Sequence, residues 1–159
     1  MTIEDTSAQL DRVPDLIKRN KDGLIAEWLQ RVKADAELMT VSLSDAERRD
    51  HVPDLLDEAI SHACGESIAH ERRLNAAEQH GTLRYHQSYS IPMLILEAQL
   101  LQAVIAECVR DHVSLIDLSH LIPDIAKIWD TISGELRESS RTFMKQYEWD
   151  MSRLGRRAG

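Results

Sequence analysis

Residues 80–97 run His80-Gly81-Thr82-Leu83-Arg84-Tyr85-His86-Gln87-Ser88-Tyr89-Ser90-Ile91-Pro92-Met93-Leu94-Ile95-Leu96-Glu97. The stretch reads as the end of one helix, a short corner and the opening of another. His80, Arg84 and Gln87 share a face at helical spacing, bracketed by Ala76, Ala77 and Leu83. Ser90 can cap the new helix, whose first turn tolerates Pro92 because the missing N–H has no partner there. At 100° per residue, Leu94, Leu101, Val104, Ile105 and Cys108 fall within about 80° of Glu97. Glu97 therefore sits in the middle of an apolar stripe, where a carboxylate takes up a proton or finds a partner. The spacing predicts that Glu97 meets Arg84, His80 or both inside a bundle, with Tyr89 near the corner. Small alanines and a short connection predict that these two helices pack closely as neighbours. Arginine suits the pairing, since its planar fork satisfies a carboxylate at two places.

Helical periodicity extends outward from this corner in both directions. Upstream, Leu10 to Asp35 carries Val13, Ile17, Leu24, Trp28 and Val32 on one side, with Gly23 a candidate break. Ser44-Asp45-Ala46-Glu47 has the form of a capping box and opens a segment through Val52, Leu55, Leu56 and Ile60. Gly65 is its expected stop, and His51-Val52-Pro53 reads as a kink or helix entry. A more polar helix covers about Glu71 to Gln87, and the helix after Ser90 continues to about His112. A long last helix steps through Leu118, Leu121, Ile122, Ile125, Ile128, Trp129, Ile132, Leu136 and Phe143. Its phase persists through Tyr147, Met151 and Leu154. No strand, hairpin or repeat pattern competes. The expected fold is all-α: one bundle of five or six helices with a long C-terminal helix. The chain reads as one domain over 1–159, with a core from about 8 to 148 and a flexible tail over 153–159.

Composition narrows the function classes. The 159 residues suffice to bury a core without staples. Aromatics make up only 4%, so Leu, Ile, Val, Ala and Met must build that core, as suits packed helices. A formal net charge of −8 argues against nucleic acid as partner. Arg153, Arg156 and Arg157 are the only basic cluster. The acidic start Met1-Thr2-Ile3-Glu4-Asp5 lacks the layout of a signal peptide. Ile91 to Val109 is interrupted by Glu97, Gln99, Gln102 and Glu107, so it reads as a core helix and not a membrane span. The expectation is a cytoplasmic protein without membrane contact. Cys64 and Cys108 form no motif and read as buried thiols.

Three roles are open to the polar cluster of His80, Arg84, Gln87, Tyr89 and Glu97. It can fix how two helices dock. It can line a ligand or switch pocket, with His80 titrating near neutral pH. Acid–base catalysis is the third, although no nucleophile, phosphate loop or metal set accompanies these groups.

The same residues carry a family likeness. The run from His80 to Pro92, followed by Glu97 and Leu100-Leu101, resembles the RsbRD N-terminal domain family. Its pattern is His, then Arg, then Gln-Gly-Tyr/Phe, an apolar entry, then Glu and Leu-Arg. The likeness extends more loosely to Ile25-Ala26-Glu27-Trp28, to His51-Val52-Pro53-Asp54-Leu55-Leu56 and to the closing helix. Ser88 stands where the family usually has Gly, and Gln102 where it usually has Arg. The resemblance implies an all-helical input domain of bacterial stressosome proteins (RsbT co-antagonists) and of some sensor histidine kinases. A globin-like form without haem falls within what it implies. It implies sensing or docking without enzymatic activity, so the domain is expected not to be an enzyme.

Other sites carry less. The only Phe is Phe143 and no histidine stands out as an axial ligand, which argues against haem. Glu58, His62, Glu66 and His70 repeat every four residues, but Gly65 interrupts them and the two Glu-x-x-His motifs of a di-iron bundle are missing. They read as a solvated face, and neither metal nor cofactor is expected. Trp28, Trp129 and Trp149 read as core or interface anchors. Trp129, Leu136, Phe143 and Tyr147 are the interface candidates on the last helix. Its apolar phase outlasts a compact bundle and suits a homodimer or a signalling partner. A small-molecule ligand held by His80, Arg84 and Glu97 is the other binding expectation.

Overall fold

The computed structural model describes residues 10–67 and 69–157; the expected core start at residue 8, the acidic N-terminus and residues 158–159 lie outside it. The chain is all-helical. Six α-helices follow in order among the described residues: α1 Val13–Ala34, α2 Asp45–Arg49, α3 Val52–Ala63, α4 His70–His86, α5 Ile91–Asp111 and α6 Leu118–Arg157. Among the described residues no strand forms, and one parallel bridge joins Asp11 to Ile116.

Local signals explain most boundaries. Ser44 accepts from the Glu47 N–H while the Glu47 carboxylate accepts from the Ser44 N–H, completing the capping box of α2. Pro53 separates α2 from α3, since it has no N–H for the Arg49 carbonyl and its ring crowds the preceding turn. Gly65 ends α3 with φ +84. Ser90 caps α5 through the Met93 N–H.

Gly23 does not break α1. The helix runs through it for 22 residues, because its flanks bury Leu24, Ile25 and Trp28 and that packing outweighs the glycine's weak propensity. Residues 153–157, placed in the tail by the sequence, are helical as the end of α6.

The core is aliphatic, as composition requires, with Leu16, Ile17, Trp28, Leu56, Leu101, Ile105, Ile128 and Ile132 at its centre. α1 packs on α3 and α5, while α6 runs beside α3, α4 and α5. The close neighbour of α4 is α6, which corrects the expected α4–α5 pairing. Gly81 and Ala77 present the smallest surface of α4 to Ser139 of α6. α5 is long and apolar enough to cross a membrane, with mean hydropathy 1.5. Its inner face, including Glu97, is buried against the bundle.

Candidate functional site

The helix break at Pro53 leaves the last carbonyls of α2 without intrahelical partners, and Arg84 takes them. Its Nη1 donates to Glu47 O (3.2 Å) and to Gln87 Oε1 (2.7 Å). Its Nη2 donates to Arg48 O (2.7 Å) and to Glu97 Oε1 (3.2 Å). Nε donates to Glu97 Oε2 at 3.3 Å, so all five guanidinium N–H groups are used. Arg84 is fully buried and lies over the Tyr89 ring. Tyr89 Oη donates to Glu97 Oε1 at 2.7 Å. Burial pushes the Glu97 carboxyl above its usual range, while Arg84 and the Tyr89 hydroxyl pull it back. Burial, then the charge of Glu97, raises the Tyr89 phenol, which stays a donor. The cluster joins α2, α4 and α5 at one point.

Arg84, Gln87, Tyr89 and Glu97 therefore meet as the spacing predicts, but His80 does not join them. It turns toward α3 and stacks on His51, ring centroids 3.5 Å apart and planes 27° off parallel. Nor does His80 titrate near neutral pH. Burial, with Arg84 nearby, drives it down to about 3. Burial also holds His51 well below its ordinary value, with His80 and Arg84 adding to the effect. Both rings are neutral at pH 7.

Beside this stack opens a cavity of about 720 Å³ walled by α3, α4 and α6. His51, His80 and Glu135 line it, whereas Arg84 and Glu97 do not. The expected His80–Arg84–Glu97 pocket is thus corrected: the ion pair is packed shut, and the open space lies on the other side of His80. One donor atom from each of His51, His80 and Glu135 lies within 4.8 Å of the others. Among the described residues His51 Nδ1 is buried without a hydrogen-bond partner. Burial raises the Glu135 carboxyl to about 7, against a hydrogen bond from Ser139. Ser139 Oγ lies 2.6 Å from Glu135 Oε1 and 3.1 Å from Ala77 O. A hydroxyl has a single proton, so it serves both neighbours fully only when Glu135 itself carries one.

No family model, curated protein or solved structure matches the chain.

Sequence reasoning missed His51 and Glu135. His51-Val52-Pro53, which reads as a kink or a helix entry, is the entry to α3, and the break also fixes His51 at the cavity wall. Glu135 is one acid among many on a long amphipathic helix, and nothing in its spacing marks it. Among the described residues the Glu58, His62, Glu66, His70 repeat forms no metal-ligating set, although Glu58, His62 and Glu66 border one small cavity with Arg73. Glu58 pairs with Arg73 at 2.5 Å, and His62 Nδ1 contacts Thr131 Oγ1 at 2.9 Å.

The interface candidates also separate. Phe143 is buried, with Tyr85 edge-on at 5.2 Å, so its face is covered within the chain. Trp129 and Leu136 are partly buried against the core. Tyr147 is exposed, together with Met144, Met151 and Leu154. Cys64, expected inside, is exposed at the end of α3, and Cys108 is half-buried. Trp28 is the one tryptophan in the core, donating Nε1–H to Glu97 O, and Trp149 is exposed under Arg153.

Proposed function

We propose that this chain is a signal-input domain of the kind its RsbRD-like run implies. It takes a ligand into the α3–α4–α6 cavity and passes occupancy along α6 to a second copy of itself. The observation that carries this reading is the continuity of α6. One unbroken helix lines the cavity with Asp130, Gly134, Glu135 and Glu138, then presents Met144, Tyr147, Met151 and Leu154 to solvent. Those four residues step by three, four and three, the seam spacing of a two-stranded coiled coil. From Glu135 to Leu154 the helix rises about 28 Å.

The ties on α6 suit transmission. Ser139 touches α4 through Ala77 O, and Asp150 accepts from Tyr85 Oη at 2.7 Å. A ligand that draws Glu135 toward α3 and α4 shifts α6 against these contacts, and packed helices answer by discrete slides. Signalling here requires a ligand with differential affinity for two packings of α6.

Light scattering on the full chain after size exclusion tests the reading. A dimer is expected, and Tyr147→Glu combined with Met151→Glu should give a monomer with unchanged helix content, since both side chains are exposed. A wild-type chain that is monomeric at every concentration overturns the proposal.

A further inference from the structure

We propose that His51, His80 and Glu135 bind one divalent transition-metal ion of the zinc or iron(II) class, with open coordination positions facing the cavity. This rests on the reading above, whose ligand it names.

The donor set carries the proposal. Two imidazoles and one carboxylate are borderline ligands, suited to Zn²⁺, Fe²⁺, Co²⁺ or Ni²⁺ and unlike the all-oxygen shells that Ca²⁺ and Mg²⁺ take. The three come from separate elements: the N-cap of α3, the middle of α4 and the middle of α6. Their donor atoms lie within 4.8 Å of one another. An ion about 2.0–2.2 Å from each donor needs the three somewhat closer, and it needs the stacked His51 and His80 rings to turn edge-on toward a common point, a rotamer change in the imidazoles as well as in Glu135.

A second observation is the buried His51 Nδ1, which has no hydrogen-bond partner among the described residues. An orphaned buried nitrogen is costly, and a metal is one partner that removes the cost. The third is charge. The cavity wall carries Asp50, Asp54 and Asp130 besides the triad, while its two arginines are already paired, Arg73 with Glu58 and Arg137 with Glu138. Such a mouth concentrates cations. Three protein ligands leave room for a water or a small anion from the cavity, as in open metal sites. The approach of Gly81 to Ser139 holds His80 and Glu135, their near neighbours in sequence, at this separation.

The test uses the full chain, freed of metal by chelation, with Zn²⁺ alone by equilibrium dialysis and Co²⁺ alone by visible absorption. One ion per chain and a Co²⁺ ligand-field band are expected. Glu135→Gln should weaken Zn²⁺ binding more than roughly tenfold, and His51→Ala further. His120→Ala, at the exposed start of α6, should bind as wild type. If His51→Ala fails to fold, Glu135→Gln carries the test, because it keeps the side chain's shape. A wild-type chain that takes up no ion at micromolar free metal overturns the proposal. So does a folded Glu135→Gln chain with wild-type affinity. The two readings fail separately: binding with no dimer at any concentration keeps the metal site and overturns signal transfer to a second copy. A dimer broken by the Tyr147 and Met151 changes, with no metal bound, does the reverse.

Discussion

Gly81 crosses Ser139 so closely that a Cβ on Gly81 would lie 2.3 Å from the Ser139 carbonyl oxygen. Backbone meets backbone there, and no rotamer can relieve the clash. Gly81→Ala should therefore separate α4 from α6 and cost about 3 kcal/mol or more. Gly23, also inside a helix, has nothing within 4 Å of its would-be Cβ. Gly23→Ala should stabilise by about 0.5–1 kcal/mol through helix propensity and a less free unfolded chain. Urea denaturation of the two variants should give shifts of opposite sign. A neutral Gly81→Ala would refute the close crossing.

Arg84→Ala should cost about 3–5 kcal/mol, since it strands the buried Glu97 carboxylate and two α2 carbonyls. The paired change Arg84→Met with Glu97→Met should cost less than the sum of the single changes, because neither charge is then left alone. Chemical denaturation of the four chains gives the coupling. Additive losses would show that the two side chains do not interact.

Ser88 is the only non-glycine residue with positive φ among the described residues, at 63°. This left-handed corner costs a Cβ-bearing residue about 1–2 kcal/mol. Ser88→Gly should raise stability by roughly 0.5–1 kcal/mol, the remainder being lost to glycine's freer unfolded state. Thermal melts should show a higher midpoint, and a lower one would mean that the serine side chain stabilises the turn.

Asp117 starts α6, with Oδ1 accepting from the Ser119 N–H at 2.9 Å and from the Ser119 hydroxyl at 2.6 Å. The Ser119 hydroxyl, then His120, then the Ser119 N–H lower its carboxyl to about 2. The folded value lies below the unfolded one, so the folded state holds fewer protons. Its stabilisation is complete above about pH 4 and is lost as pH falls through about 2. Asp117→Ala should lower the urea midpoint at pH 5, and the gap to wild type should close as pH falls from about 4 toward 2. A gap that widens in acid would contradict this order of proton affinities.

Much of the fold was legible in particular residues. Ser44, Glu47, Gly65, Ser90 and Pro92 mark helix ends by local chemistry that needs no tertiary partner. Glu97 in an apolar stripe, with Arg84 on the preceding helix, announced a buried pair because an unpartnered charge there is too costly. Gly23 misled because helix propensity is a small term that packing outweighs. His80 misled in another way. Its helical face is shared with Arg84, but facing α3 and facing α5 differ by a modest rotation that periodicity does not resolve.

The sequence by itself settled what is short-ranged: helix after helix, their capped ends, and a carboxylate that had to find a cation. Only the tertiary structure decided that α4 lies along α6, that His80 meets His51, and that Glu135 reaches both. The physical reason is range. Capping and amphipathic spacing act within a few residues, whereas His51, His80 and Glu135 are brought together only by the packing of three helices.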